Sequence, residues 1–365
     1  MRIIEDVKLD FNDVLIIPQR ATHDTEIKSR EEISLERTFS FPYSKNSWTG
    51  VPIIASNMDT VGTFGAAEIL SKYKMLTSIH KFYGSADWEE AVKSTWYSPE
   101  YVIPTFGIKD TDYDKLLGVH AIHKANSKLQ KWVCIDVPNG YTQPFIDFII
   151  KVRSQYPDLR IIAGNVCTPN MAEQVIQAGA DIVKVGIGGG QQCRTRVVTG
   201  IGYPQLSSNM ECADAVKGLG GWIISDGGCS NSGDVAKALA SSDGFVMLGS
   251  MLAAHQENTD KENLVENYSG EYVDSISVKV YGMSSNTAME KHYGGKATYK
   301  ASEGATSLIE YRGKIEDTIN EILGGLRSTL TYVGATRLKH LNKRATFIKV
   351  NRTHNDAYAH LKIGN

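Results

Sequence analysis

The stretch Asp181–Arg196, DIVKVGIGGGQQCRTR, passes from a short apolar segment into three consecutive glycines and then a cysteine, with Arg194 and Arg196 on either side of Thr195. Its first five residues lack polar–apolar alternation, the pattern of a strand buried on both faces. Seven other segments read the same way: Val51–Ala55, Leu76–Ile79, Tyr101–Thr105, Trp132–Asp136, Arg160–Ala163, Trp222–Ser225 and Gly244–Leu248. Helix-like stretches lie between them at Gly65–Lys72, Trp88–Lys93, Tyr113–Ala125, Phe145–Ser154, Met171–Ala178, Met210–Val216 and Asp234–Ala240, and an eighth is expected after Gly249. Eight βα units of about 20–30 residues predict a closed (β/α)8 TIM barrel, an α/β fold, rather than an open doubly wound sheet.

With 365 residues and 42% hydrophobic content, the chain can build one large core. Residues 1–50 read as an N-terminal arm, 51–256 as the barrel core and 257–365 as a C-terminal flap with closing helices, all within one catalytic domain. The formal net charge is −2, with both signs interspersed, which argues against nucleic acid or a membrane as partner and leaves small molecules and further copies of the chain. The start, MRIIEDVKLDF, has no apolar run of signal-peptide length, and no segment approaches the roughly 18 apolar residues of a membrane span, which predicts a cytoplasmic protein. Five cysteines, Cys134, Cys167, Cys193, Cys212 and Cys229, are scattered without a CxxC pair and read as reduced thiols, most of them packing residues.

In a barrel the loops that follow the strands carry the functional groups. Here those positions hold Asn57 and Asp59, His80 and Lys81, Asp136 and Asn139, Asn165, the glycine loop, Asp226-Gly227-Gly228, and Gly249-Ser250. The last two bring glycine to the ends of the seventh and eighth strands. There, exposed backbone N–H groups can hold a phosphate; either turn alone reads as a tight βα connection, and the pair favours phosphate. The sixth loop can turn carbonyls inward as a cage for a large monovalent cation, or amides inward for an anion. Cys193 has Gln, Arg and Thr for neighbours, poor company for a core residue, and nearby positive charge favours a thiolate, so it reads as a nucleophile. The nine histidines occur singly, without HxH or HExxH, and no GxGxxG leads from a strand into a helix.

These elements together resemble the inosine-monophosphate dehydrogenase and guanosine-monophosphate reductase superfamily. The matching segments include LDFNDVLIIPQR (9–20), VPIIASNMDTVGTFGAA (51–67), CIDVPNGY (134–141), AGNVCT (163–168), GADIVKVGIG (179–188), RVVTGIGYPQLS (196–207), ISDGGCSNSGDVAKAL (224–239), VMLGSM (246–251), YGMSSNTAMEKHYGG (281–295), ASEG (301–304) and ILGGLRSTLTYVGA (322–335). Neither the regulatory tandem insertion nor the arginine–tyrosine flap of the dehydrogenases is visible. The 281–295 and 301–304 segments instead match the reductase branch.

That resemblance implies reduction of GMP by NADPH to IMP and ammonia in purine salvage, by way of a thioimidate on Cys193, with Thr195 and Glu303 moving the proton. It implies substrate contacts from Asp226, Gly227, Gly228, Gly249, Ser250, Gly282, Met283, Ser284, Lys300, Ala301, Ser302 and Gly304. Cofactor contacts would come from Lys81, Asp136, Val137, Pro138, Ile187, Gly188 and Ser328, with Ser29 and Arg30 reaching a neighbouring subunit of a homotetramer. Potassium would be held at Gly188, Gly190 and Cys193 beside Arg196. The chain departs from the reductase pattern GIGPGSxCTTR at Gly189, Gln191 and Arg194, and carries Lys300 where arginine is usual. The loss of the serine at 191 bears on phosphate recognition, and leaves open a modified or deoxy guanine nucleotide as substrate, or a weakly active nucleotide-binding paralogue.

Overall fold

The computed structural model describes residues 3–20, 27, 29–269, 272–295, 301–351 and 353. Lys300 lies outside them. The arm contributes β1 (Val14–Ile16) and a hairpin of β2 (Arg37–Phe41) and β3 (Asn46–Gly50). Eight parallel strands follow: β4 (Ile53–Ala55), β5 (Leu76–Ile79), β6 (Val102–Phe106), β7 (Trp132–Asp136), β8 (Arg160–Val166), β9 (Ile182–Val185), β10 (Trp222–Asp226) and β11 (Phe245–Leu248). They close on themselves, with β11 pairing β4, so the expected barrel is the observed one.

The connecting helices are α1 (Phe64–Lys72), α2 (Ser85–Lys93), α3 (Asp110–Ala125), α4 (Gln143–Gln155), α5 (Pro169–Gln177), the short α6 (Thr195–Thr199) with α7 (Gln205–Lys217), and α8 (Ser232–Ser242). The longer helices bury apolar side chains, whereas α6 buries none; in α5, Met171, Ala172, Val175 and Ile176 recur at helical spacing and face inward. The expectation of an eighth helix directly after Gly249 is corrected: Ser250–Leu252 is a single 3-10 turn. The chain first leaves for a flap built of β12 (Leu264–Ser269), β13 (Tyr272–Tyr281), α9 (Asn286–Tyr293) and β14 (Thr306–Glu310). It then returns as α10 (Ile315–Tyr332), which packs against α8 and α1 and so fills the eighth position. The short α11 (Leu341–Arg344) leads to β15 (Phe347–Lys349), which pairs with β1 and ties the two ends of the fold together. Among the described residues no helix is long and apolar enough to cross a membrane.

The hairpin of the arm plugs the end of the barrel away from the loops that follow the strands. Phe39, Phe41 and Trp48 are almost fully buried among inward-facing Ile54, Trp132, Ile182 and Phe245. The Phe39 ring stacks on Phe245 with centroids 4.1 Å apart and meets Trp222 edge-on at 4.9 Å. Closure at one end leaves the other as the open mouth. Phe39→Ala should therefore cost about 3–5 kcal/mol of stability through the cavity it leaves. Denaturant unfolding checks this, and the remaining folded protein should keep its activity per molecule, because the plug lies at the far end from the mouth.

Candidate functional site

The mouth is organised around a lysine that sequence reasoning did not single out. Lys184 points inward from β9, its side chain 2% exposed. Its ammonium lies 2.5 Å from Asp136 Oδ1 at the end of β7, 3.1 Å from Asn57 Oδ1 after β4, and 3.4 Å from Asp226 Oδ2 at the end of β10. Asn165 Nδ2 donates to Asp226 Oδ2 at 2.8 Å and to the Gly186 carbonyl at 2.9 Å. Burial by itself would lower the lysine's pKa, but the charges of Asp136 and Asp226 outweigh it and hold the ammonium well above the ordinary range. Burial likewise works to raise Asp136, and the charge and hydrogen bond of Lys184, helped by Lys81, bring it below the usual carboxylate range.

Above this floor sits the glycine loop. Gly188, at φ +83°, takes a conformation suited to glycine, and a Cβ there would meet the Arg196 side chain at 2.6 Å. The Cys193 N–H donates to the Gly190 carbonyl at 3.0 Å. Cys193 Sγ lies 3.2 Å from Thr195 Oγ1, which donates to Glu303 Oε2 at 2.9 Å. Main-chain bonds lock the flap segment onto this loop: Arg194 N to the Glu303 carbonyl at 2.6 Å and Ala305 N to the Gln192 carbonyl at 2.8 Å. Within the flap, Gly304 packs closely on 282–285, where a Cβ would fall 2.6 Å from the Ser285 nitrogen. Of the five cysteines, only Cys193 is not buried. Burial pushes Cys134 and Cys212 up to about 12 and raises Cys167 and Cys229 as well, so those four are poor nucleophiles.

Other expected residues converge on the same region. A Cβ on Gly227 would meet Gly190 at 3.1 Å, placing the Asp226–Gly228 turn against the cysteine loop. Ser250 Oγ donates to Gln191 Oε1 at 2.6 Å, so the residue standing in place of the family's serine reaches the end of β11. Gly282 donates to the Ala305 carbonyl, Gly304 to that of Ser284, and Ser302 Oγ to that of Gly304, weaving 282–284 and 301–305 into one wall; Ala301 is exposed at its edge. Lys81, Asp136 and Met283 line a cavity of about 50 Å³ with Asn57, Phe82 and Tyr293. Val137 is buried beside Asp136, Pro138 is exposed, and the Ile187 carbonyl accepts from Tyr203 N.

Three expected positions stand apart from this cavity. Ser29 caps the turn Arg30–Glu32, which packs on α10, the helix that also carries Ser328. Of the two arginines beside the thiol, Arg196 is the one whose electrostatics include it. The Arg196 guanidinium bonds Asp10 Oδ2 at 2.7 Å and the Tyr203 carbonyl at 2.8 Å, and it is Asp10, ahead of the smaller influence of Cys193, that raises its pKa. Arg194 is exposed and makes no side-chain hydrogen bond among the described residues. A larger cavity, about 340 Å³, lies outside the barrel, lined by residues such as Met210, Trp222 and Phe347, and contains none of the strand-end residues.

Sequence reasoning also missed the bond that latches the flap. Asp59 Oδ2 accepts from Tyr281 OH at 2.7 Å and lies 2.6 Å from His292 Nε2, whose ring stacks on Phe82 with centroids 3.5 Å apart. Nearby His80 is pushed down to about 4 by burial, the repulsion of His292 and Lys291 adding to it against the pull of Asp59. It is therefore neutral in the fold at neutral pH and protonated in the unfolded chain below pH 6.5, so the stability it contributes is complete above that value and is lost as pH falls toward 4. That displacement corresponds to roughly 3 kcal/mol. The fall in unfolding free energy between pH 6.5 and pH 4 should be shallower in His80→Gln than in the parent protein.

Lys184→Met should leave two carboxylates facing each other across the mouth with no cation between them. It should lower turnover by about 10²-fold or more, because a misplaced binding group costs that much, and steady-state kinetics on the folded variant would read it.

The family pattern described as the IMP dehydrogenase / GMP reductase domain matches residues 8–359. Among curated relatives, a "GMP reductase" of Aeromonas hydrophila subsp. hydrophila is 50% identical over 364 residues, covering 98% of this chain and 99% of the relative. One of Shewanella pealeana is 49% identical over 362 residues, covering 98% and 99%. One of Escherichia coli O157:H7 is 49% identical over 362 residues, covering 99% and 100%. With the barrel, the strand-end crown and the whole length of the chain in agreement, this protein belongs to the IMP dehydrogenase / GMP reductase family.

Proposed function

We propose that this chain is a GMP reductase, converting GMP and NADPH to IMP, ammonia and NADP⁺ in purine salvage. The observation that carries the reading is the hydrogen-bonded series Cys193–Thr195–Glu303 at the mouth, built on the one cysteine that is not buried. The names of relatives about 50% identical over the full chain support the substrate.

The chemistry follows from what each group can do. The Cys193 thiolate adds to C2 of the purine, and the bond from C2 to the 2-amino nitrogen breaks once that nitrogen is protonated, leaving a thioimidate. Amide ion is too basic to depart unprotonated, so Thr195 Oγ1 passes the proton and Glu303, hydrogen-bonded to it, resupplies it. Covalent capture divides one difficult substitution into two easier steps. When bound, NADPH would supply hydride to C2, and breakage of the carbon–sulfur bond would release IMP and restore the Cys193 thiolate.

The other residues bind and orient. Asp226, fixed by Asn165 and Lys184, takes the ribose hydroxyls. Gly227, Gly228, Gly249 and Ser250 present backbone N–H groups to the phosphate, where the Gln191 carboxamide on Ser250 replaces the family's serine. Gly282, Met283, Ser284 and residues 301–304 enclose the base. Lys81 suits a phosphate-bearing dinucleotide, since no carboxylate among the described residues lies within 4.0 Å of its ammonium, and Asp136, Val137, Pro138, Ile187 and Gly188 complete that side. The carbonyls of Gly188 and Cys193 accept no hydrogen bond among the described residues, the donor chemistry a potassium ion takes, with Gly190 and Arg196 beside them. Ser29 and Arg30, on the turn that packs against α10, and Ser328 of that helix are assigned to a cofactor held by a neighbouring copy of a cytoplasmic homotetramer.

Cys193→Ala should retain nucleotide binding while losing NADPH oxidation by about 10³-fold or more, and Glu303→Gln should lose about 10²–10⁴-fold through the missing proton path. Following NADPH absorbance with GMP, dGMP and base-modified guanine nucleotides checks both the chemistry and the substrate. Turnover persisting in Cys193→Ala contradicts the mechanism.

A further inference from the structure

The cysteine loop is held from two directions, and the second involves a residue outside the mouth. α6 begins at Thr195, so Thr195 and Arg196 are successive residues of one helical turn pointing about 100° apart. Thr195 faces Glu303 on the flap. Arg196 faces the N-terminal arm, where Asp10 takes its guanidinium through both oxygens, at 2.7 and 3.3 Å. Asp10 Oδ1 also accepts the Gln205 N–H at 2.5 Å, so one carboxylate joins the helix that starts at Thr195 to the first residue of α7. The stem of Arg196 lies between Gly188 and Gly202, where a Cβ would approach its Cγ to 2.6 and 2.7 Å. Neighbouring arm residues are fixed in turn: Leu9 and Ser207 exchange two hydrogen bonds, of 2.9 and 3.1 Å, and Lys8 pairs with Glu211 at 2.7 Å. The next residue, Phe11, is buried with its ring against Gly228.

We propose that Asp10 is a positioning residue for the Cys193 loop: by clamping Arg196 and the start of α7, it sets the register in which Thr195 Oγ1 meets both Cys193 Sγ and Glu303. This rests on the reductase reading for its kinetic consequence, while the clamp itself rests on geometry alone. A bidentate arginine–carboxylate pair fixes direction as well as distance, which a single ammonium contact does not. Asp10 touches no reacting atom, so its influence passes entirely through Arg196 and Gln205.

The test is a double-mutant cycle on the full chain with two readouts, kcat for GMP-dependent NADPH oxidation and the rate at which iodoacetamide alkylates Cys193. The other four cysteines are buried, which makes alkylation a local probe. Asp10→Ala should lower kcat about 10–10²-fold with the KM for GMP changed less than about threefold, and should alter the alkylation rate several-fold. Asp10→Asn, which keeps one acceptor oxygen, should recover part of both. Asp10→Ala/Arg196→Ala should be no worse than the worse single variant, as expected for residues acting as one unit. Lys8→Ala, which breaks the arm's neighbouring ion pair without touching Arg196, should leave both readouts unchanged.

Additive penalties in the double variant overturn the proposal. So does an Asp10→Ala protein that keeps the parent kcat and alkylation rate while only its unfolding temperature falls. If the parent protein fails to oxidise NADPH with GMP, the reductase reading falls while the alkylation cycle still decides the clamp.

Discussion

A single buried ammonium, that of Lys184, fixes the floor of the mouth. Desolvating a cation is expensive, and the attraction of a partner offsets it only when geometry is close and the remaining donors are satisfied. Lys184 meets that condition with three oxygens from three different strand ends, those of Asp136, Asn57 and Asp226. Neither carboxylate can be displaced without uncovering the lysine, so the residue assigned to the substrate's ribose and the one assigned to the cofactor are tied to one charge. Because Asn57 follows β4 while Asp136 and Asp226 end β7 and β10, the link reaches across the mouth rather than along one strand pair.

Fold and site were legible to different depths. All eight strands could be read from unalternating apolar runs, since parallel strands covered by helices must be apolar on both faces. The eighth helix could not be placed, because the turn after β11 is followed by the flap before α10 fills the position. Cys193 stood out by its polar neighbours. Thr195 and Glu303 carried no comparable local signal and entered through family resemblance; the 2.9 Å bond between them spans 108 positions. Lys184 was hidden inside its own strand: within DIVKV, one lysine reads as an interruption of an apolar run, and only the inward direction of its side chain makes it central. The Asp59–Tyr281 and Asp10–Arg196 contacts are more remote still, at separations of 222 and 186 residues. The missed residues are therefore mostly charged side chains whose partners lie far along the chain, which no local window contains.

The two supports of the cysteine loop differ in kind. The flap support is main-chain pairing between 192–194 and 303–305, made by a sheet whose outer strand β14 is half-exposed. The arm support is an ion pair anchored by a buried phenylalanine and by the β1–β15 pairing. The cavity bordered by Lys81 and Met283 measures about 50 Å³, well below the roughly 300–1,000 Å³ that small-molecule sites occupy. The flap and the strand ends border that cavity together, Met283 and Tyr293 on one side and Asn57, Lys81 and Asp136 on the other. The arm support does not depend on that wall, since Asp10 and Gln205 both lie outside the flap. With Arg196 held by Asp10, the helix that starts at Thr195 is anchored to the arm, while the flap contributes Glu303, whose carboxylate accepts from Thr195 and completes the proton path.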